Sequence, residues 1–251
     1  MPKVSVIINT FNRPQMLKQA VASIHAQTLD DWQLVIAVDH KQESWYNKDI
    51  EWLRSEEYGA MIEAILTRKI DEERVKLDFT DLEPGDQSLN RFAHNINRAF
   101  KICTGDFISY LCDDDLFTPC RLSIFSRALD ENPDFHIVYG KQLVWDIKTD
   151  RALEERPASL ILPIHPDGLM PYGRVNHNSI MHRRECFDAV GGWVENAPAR
   201  LGDAYFFAKL NQKYAFHPID CIGEVMRMGQ QNCWSGKPQS EAEKVNVGAF
   251  A

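Results

Sequence analysis

The chain has 251 residues, 44% of them hydrophobic and 25% charged, which is ordinary for a globular protein with one sizeable core, and a single domain is expected. Its formal net charge of −8 argues against broad attraction to DNA or anionic lipid, so nucleic acid is not an expected partner.

Met1 is followed almost at once by the strand pattern KVSVIINT, with no basic, apolar and small-residue leader ahead of it. No apolar run approaches membrane-spanning length, so a cytoplasmic protein without an integral membrane segment is expected. The six cysteines, Cys103, Cys112, Cys120, Cys186, Cys221 and Cys233, form neither a CxxC pair nor a zinc-like spacing. Reduced thiols in packing positions are therefore expected.

Along the chain, Val4 to Ile8 reads as a strand covered on both faces. After Pro14, the residues Leu17, Ala20, Val21 and Ile24 repeat at helical spacing, with Asn12 placed to cap the helix. WQLVIAVDH is a second buried strand, ending in Asp39, and the strand–helix–strand order predicts a parallel crossover and an α/β fold. Residues 48–73 read as one or two surface helices, VKLDF as a strand and SLNRFAHNINRAF as a helix with an apolar face, leading through Gly105 into FISYLC. Thr118 and Pro119 are placed to start the helix carrying Leu122, Phe125 and Leu129. DFHIVYG and LVWDI read as further strands, and the proline-rich stretch RPASLILPIHPDGLMPYG as a loop bordering a site. RRECFDAVGG is a short helix closed by glycine, GDAYFFAKLNQ a helix with Asp203 at its start, and the tail from Gly229 is polar.

The strand FISYLC runs into three adjacent carboxylates, Asp113, Asp114 and Asp115. In an open α/β sheet, ligands bind beyond the carboxyl ends of the strands, where Asp39 and this triplet both fall. Carboxylates grouped there suit a hard divalent cation, Mg²⁺ or Mn²⁺, that leaves positions open for diphosphate oxygens. The alternative is that the acids favour the positive end of the following helix, which needs only one or two of them. The haloacid-dehalogenase DxDxT motif, the calcium loop, GxGxxG and the Walker lysine loop are all missing.

VSVIINTFNR, the strand ending at Asp39, the acidic triplet, and a later GD before an aromatic helix together resemble the inverting family 2 glycosyltransferases of the GT-A fold. The ordered segments MPKVSVI, RFAHNIN, SIMHR and GDAYFF are most similar to a spore-coat polysaccharide glycosyltransferase of that family, over roughly residues 1 to 220. The resemblance implies a Rossmann-like, mainly parallel sheet flanked by helices. It divides the domain into a nucleotide-binding half to about 116, an acceptor-side half from about 117 to 228, and the tail 229–251. The donor it implies is a nucleoside diphosphate sugar, UDP- or dTDP-linked, and the acceptor a hydroxyl of a glycan or other molecule. Thr10, Phe11 and Arg13 would line the nucleoside pocket, with the Phe11 ring against the base, while Asp39 would accept a pyrimidine N–H. Asp113 would touch the ribose, Asp114 the metal, and Asp203 would be the catalytic base.

Asp203 also fits a helix cap, and Asp39 a turn acid. Two readings stay open for Arg91, a phosphate contact or an exposed helix arginine, and for His177, an acceptor-side contact or a satisfied structural histidine. The sequence departs from the family pattern at Cys112, where many members have aspartate, and at Asp86, near a phosphate-facing arginine. It departs again at Arg227-Met228-Gly229 in place of Arg-x-His. The competing classes are a sugar-nucleotide nucleotidyltransferase, whose glycine-rich basic loop is missing, and a nucleotide-sugar binding protein without turnover.

Overall fold

The computed structural model describes residues 2–11, 13–39, 74–83, 89–198 and 201–229. Asn12, the expected helices in 48–73, Asp86, Cys233 and the tail beyond 229 lie outside the described residues.

The strands are β1 (Val4–Thr10), β2 (Trp32–Val38), β3 (Val75–Phe79), β4 (Phe107–Cys112), β5 (Leu116–Phe117), β6 (Ile137–Asp146), β7 (Arg151–Arg156), β8 (Ile180–Arg183) and β9 (Phe216–Met228). The helices are α1 (Pro14–His25), α2 (Arg91–Ile102), α3 (Arg121–Glu131), α4 (Arg184–Val190) and α5 (Gly202–Asn211). Among the described residues the strands form one sheet in the order β3-β2-β1-β4-β8-β6-β9-β5, with β7 added beside β6.

β2 is buried along its whole length and β1 nearly so, because helices cover both faces. The period of two sorts their side chains. Val4, Val6, Ile8, Leu34, Ile36 and Val38 pack with Leu17, Val21 and Ile24 of α1 and Leu122, Phe125 and Leu129 of α3. Ile7, Val35 and Ala37 face the other way, onto Ala93, Ile96 and Phe100 of α2 and a core that includes Phe206 and Leu210 of α5.

β3, β2, β1 and β4 are parallel and nearly in step, so Phe79, Val38, Thr10 and Cys112 end along one edge. β8 runs antiparallel to β4, which brings the 3-10 turn His177–Ser179 ahead of β8 to that same edge. The expected strand ends at Asp39 and Asp113 thus share one rim of the sheet.

Three expectations need revision. Thr118 does not cap α3: Cys120 holds the N-cap position, and Thr118 Oγ1 donates to the Ile222 carbonyl at 2.7 Å. The hydroxyl is spent on β9, which lies alongside β5. The two expected strands around Tyr139 and Val144 are one, β6, which holds β8 at its start and β7 further on along one side. β9 flanks β6 on the other side, with register shifts around Lys141 that absorb its irregular sequence. β7 was not expected and lies just ahead of the expected loop, sharing only Arg156 with it, and the loop itself is irregular but for a bridge from Leu162 to Phe216.

Gly105 is required by its surroundings, since a Cβ there would lie 2.5 Å from Ser5 N and 2.8 Å from Val4 C, both backbone atoms of β1. Gly105→Ala is expected to destabilise the fold by about 1–3 kcal/mol, because β1 and its neighbours must part to admit the methyl group. Urea denaturation checks this, and an unchanged midpoint would contradict so close an approach.

Candidate active site

The acidic turn joins β4 to β5, and its three carboxylates are all largely buried. Each has a different set of partners. Asp113 Oδ2 accepts from Thr10 Oγ1 at 2.7 Å and from Phe11 N at 3.3 Å, and its Oδ1 accepts from Arg13 Nη1 at 2.9 Å. The same Arg13 nitrogen lies 2.6 Å from Asp114 Oδ2. Thr10, Phe11 and Arg13 are thereby drawn onto the acidic turn by the end of β1 and the start of α1.

Asp115 points the other way. Its Oδ2 accepts from Asn178 Nδ2 at 2.6 Å and its Oδ1 from the Arg227 backbone N–H at 2.8 Å. Asn178 also accepts from Cys112 N at 2.8 Å, so the 3-10 turn holds both ends of the acidic segment. Arg227 Nε donates to the Asp114 carbonyl and its Nη1 to Gln19. Arg227 therefore serves the turn from β9.

Burial pushes the Asp113 carboxyl up to about 6, opposed by the Arg13 charge and reinforced by Asp114. Burial likewise raises Asp115 well above the carboxylate range, with Asp114 and Glu224 adding to it. Three buried carboxyl groups face two guanidinium groups, those of Arg13 and Arg227, so full ionisation of the turn favours further positive charge. Cys112 Sγ and carboxylate oxygens of Asp114 and Asp115 lie within 4.8 Å of one another. The two carboxylates are hard donors that fit Mg²⁺ or Mn²⁺. The Cys112 thiol is held protonated by burial and then by Asp114, which suits a packing position rather than a ligand for a hard ion.

A second cluster stands beside the first. Arg91, at the start of α2, meets both oxygens of Asp39, at 2.9 and 2.8 Å, and donates to the Glu83 carbonyl at 2.9 Å. Asp39 is 2% exposed, so the bidentate arginine fixes the carboxylate and compensates its burial. Each oxygen keeps a lone pair for a ligand N–H.

Asp203 lies in the first turn of α5 and accepts from Ala204 N at 2.8 Å, while Leu201 holds the cap position. Burial raises its pKa, the Ala204 N–H opposing. α5 starts near the start of α2: Gly202 packs on Asn90, which caps α2 through Ala93 N and donates to the carbonyls of Ala197 and Pro198. His177 is buried among Phe92, Tyr110 and Trp193. Burial, aided by Arg121, lowers its pKa to about 3, so the ring stays neutral at ordinary pH.

Sequence reasoning missed the supporting residues Asn178, His94 and Arg98. On α2, Arg91, His94 and Arg98 follow one another at helical spacing, a pattern that is visible in the sequence. His94 Nδ1 lies 2.9 Å from Glu195 Oε2 and its Nε2 2.8 Å from Asp81 Oδ1, while Arg98 meets Asp78 and Asp81. This row clamps β3 and the segment before α5 onto one helix.

No family model matches the chain. It is 30% identical over 230 residues to Protein CgeD of Bacillus subtilis, covering 87% of this chain and 48% of that protein. It is 24% identical over 144 residues to the GalNAc(5)-diNAcBac-PP-undecaprenol beta-1,3-glucosyltransferase of Campylobacter jejuni, covering 57% of this chain and 39% of that protein. The chain therefore spans about half or less of the length of these relatives. Among solved structures, S. aureus TarS 1-349 in complex with UDP-GlcNAc matches with a TM-score of 0.62 at 15% identity, over 95% of this chain and 62% of that one. The mannosyltransferase PcManGT from Pyrobaculum calidifontis, in complex with GDP-Man and Mn²⁺, matches with a TM-score of 0.55 at 14% identity, over 92% and 58%. The fold is that of the GT-A glycosyltransferases, and the chain is similar in sequence to glycosyltransferases.

Both contacts of His94 are to carboxylates, which only accept, so both ring nitrogens must carry protons. Burial lowers the His94 pKa, but the hydrogen bonds to Glu195 and Asp81 outweigh it and the net shift is upward from 6.5. A histidine raised in the folded state contributes stability that is complete below the unfolded value and lost as pH rises through the folded one. Wild-type protein is expected to lose stability as pH rises above 6.5 through that value, and His94→Gln to lack this component. Urea midpoints of both proteins from about pH 6 to 9 check it, and parallel profiles would contradict the doubly protonated clamp.

Proposed function

We propose that the chain is a metal-dependent inverting glycosyltransferase of the family 2 type. It transfers a sugar from a UDP- or dTDP-linked donor to a hydroxyl of a glycan or other acceptor, in the cytoplasm, in polysaccharide or glycoconjugate synthesis. The observation that carries this reading is the convergence of Thr10, the Phe11 backbone and Arg13 on Asp113 and Asp114, beside the Asp39–Arg91 pair, at the carboxyl edge of a GT-A sheet. Two fold neighbours solved with nucleotide sugars, one of them also with Mn²⁺, support it.

In this reading Asp39, oriented by Arg91, accepts the imide N–H of a uracil or thymine ring, and the Phe11 ring lies against the base. Asp113, steadied by Thr10 and Arg13, accepts from a ribose hydroxyl. Asp114 would hold Mn²⁺ or Mg²⁺, with Asp115 next to it. When bound, the metal neutralises diphosphate charge and stabilises the leaving group. Arg13 adds positive charge on the same side. His177, neutral and enclosed by aromatic rings, precedes Asn178 in the chain and is a packing residue in this reading.

Asp203 takes the proton of the acceptor hydroxyl as its oxygen attacks the anomeric carbon. The bond from that carbon to the diphosphate oxygen breaks, its electron pair leaving with the nucleotide. A single displacement inverts the anomeric configuration. The raised pKa of Asp203 suits the task, since it makes the carboxylate a better proton acceptor. The division into a nucleotide-binding half to about 116 and an acceptor-side half to 228 belongs to the same reading, since Asp203 approaches from the second half.

Asp114→Ala is expected to abolish Mn²⁺-dependent UDP binding in calorimetry. Asp203→Asn is expected to keep that binding and to lower sugar transfer by about 10²–10⁴-fold, the usual worth of a general base. Unchanged binding by the first variant would sink the metal assignment, and unchanged transfer by the second would sink the base. Tight binding by wild type without turnover on any acceptor would favour a nucleotide-sugar binding protein.

A further inference from the structure

β5 and β9 are antiparallel, with Leu116 opposite Val225 and Phe117 opposite Glu224. The ladder continues past the strand, since Thr118 N donates to the Gly223 carbonyl at 3.1 Å and Thr118 Oγ1 to the Ile222 carbonyl. Beyond Thr118 the ladder ends, but the two segments stay close, since Gly223 lies against the Arg121 side chain, and Cys120 and Cys221 flank these contacts. The chain turns there into α3, with Arg121 N donating to the Thr118 carbonyl at 3.2 Å. The two thiols are neighbours: burial raises the pKa of Cys221, and the Cys120 thiol beside it raises it further.

Both residues are free thiols and half-exposed, whereas Cys103 and Cys186 are buried, with thiols that burial pushes up to about 12.

We propose that Cys120 and Cys221 are a reversible thiol–disulfide site, oxidised by a low-molecular-weight disulfide of the glutathione class. One protein thiolate attacks the external disulfide, giving a mixed disulfide and releasing one small thiol. The second protein thiolate then attacks the mixed disulfide at the protein sulfur, and the second small thiol leaves. Two electrons pass to the external disulfide, and the two protons given up by the protein thiols end on the released small thiols. The bond ties the start of α3 to β9, the strand whose Arg227 holds Asp114 and Asp115. It closes a loop of roughly 100 residues and raises the unfolding midpoint of the oxidised protein.

The test is peptide mapping by mass spectrometry of the native full-length chain after treatment with oxidised glutathione and alkylation of the remaining thiols. The expected result is one linked peptide joining Cys120 to Cys221 and the loss of two of the six thiols, reversed by dithiothreitol. Cys120→Ser and Cys221→Ser each remove the link. Recovery of both cysteines from wild type as free thiols, as separate glutathione adducts, or joined to other cysteines would overturn the proposal. The wild-type map decides the matter even where a serine variant folds poorly.

Discussion

Three adjacent carboxylates at the end of a buried strand set the terms for the rest of the molecule. Arg13 lies within hydrogen-bonding distance of both Asp113 and Asp114. Even so, burial leaves the Asp113 carboxyl near 6. Like charges held this close in a region of low polarity stay ionised only with nearby positive charge or hydrogen bonds. The architecture gathers these from widely separated segments: Thr10 and Phe11 from the end of β1, Arg13 before α1, Asn178 from the turn before β8, and Arg227 from β9. The C-terminal half of the sheet thereby becomes part of the site, because β9 reaches the turn only by lying between β6 and β5.

α2 gives the site its second fixed frame. Its first turn carries Arg91, which meets Asp39, and the next turns carry His94 and Arg98, which grip Asp78, Asp81 and Glu195. The cap residue Asn90 holds the chain at Ala197 and Pro198, just ahead of α5 and Asp203. Asp39, the proposed contact to the nucleotide base, and Asp203, the proposed catalytic base, are thus both referred to the start of one helix. Trp193 stacks on Phe206 at 4.7 Å and stands edge-on to Tyr110 of β4, which joins α5 to the strand leading into the acidic turn. Such mutual positioning through rigid elements is what transfer chemistry demands of its reacting groups.

Much of this was legible in the sequence. The parallel strands announced themselves because burial on both faces makes unbroken apolar runs, as in WQLVIAV. The ends of those strands located Asp39 and the triplet. The partners were harder to see, since Asn178 and Arg227 lie 63 and 112 residues from Asp115 and nothing local marks either one. Arg91 and Asp39 were each visible as candidates, but their pairing across 52 residues was not. β9 escaped because Pro218, Gly223 and a half-exposed pattern look nothing like a strand until β6 and β5 supply partners on either side. Thr118 and Pro119 have the chemistry of a helix start, yet the competing bond to the Ile222 carbonyl won.

The central claim is that the acidic turn is a nucleotide site completed by a divalent cation. Thermal unfolding of the wild-type chain with UDP, dTDP, GDP, ADP and CDP, each with and without Mn²⁺, tests it most directly, because a ligand that binds only the folded state raises the midpoint by mass action. The account predicts a rise with UDP or dTDP that requires Mn²⁺, and none with ADP or CDP, whose bases lack the imide N–H that Asp39 would accept. Equal midpoints for every nucleotide, or the same rise with and without Mn²⁺, would contradict it.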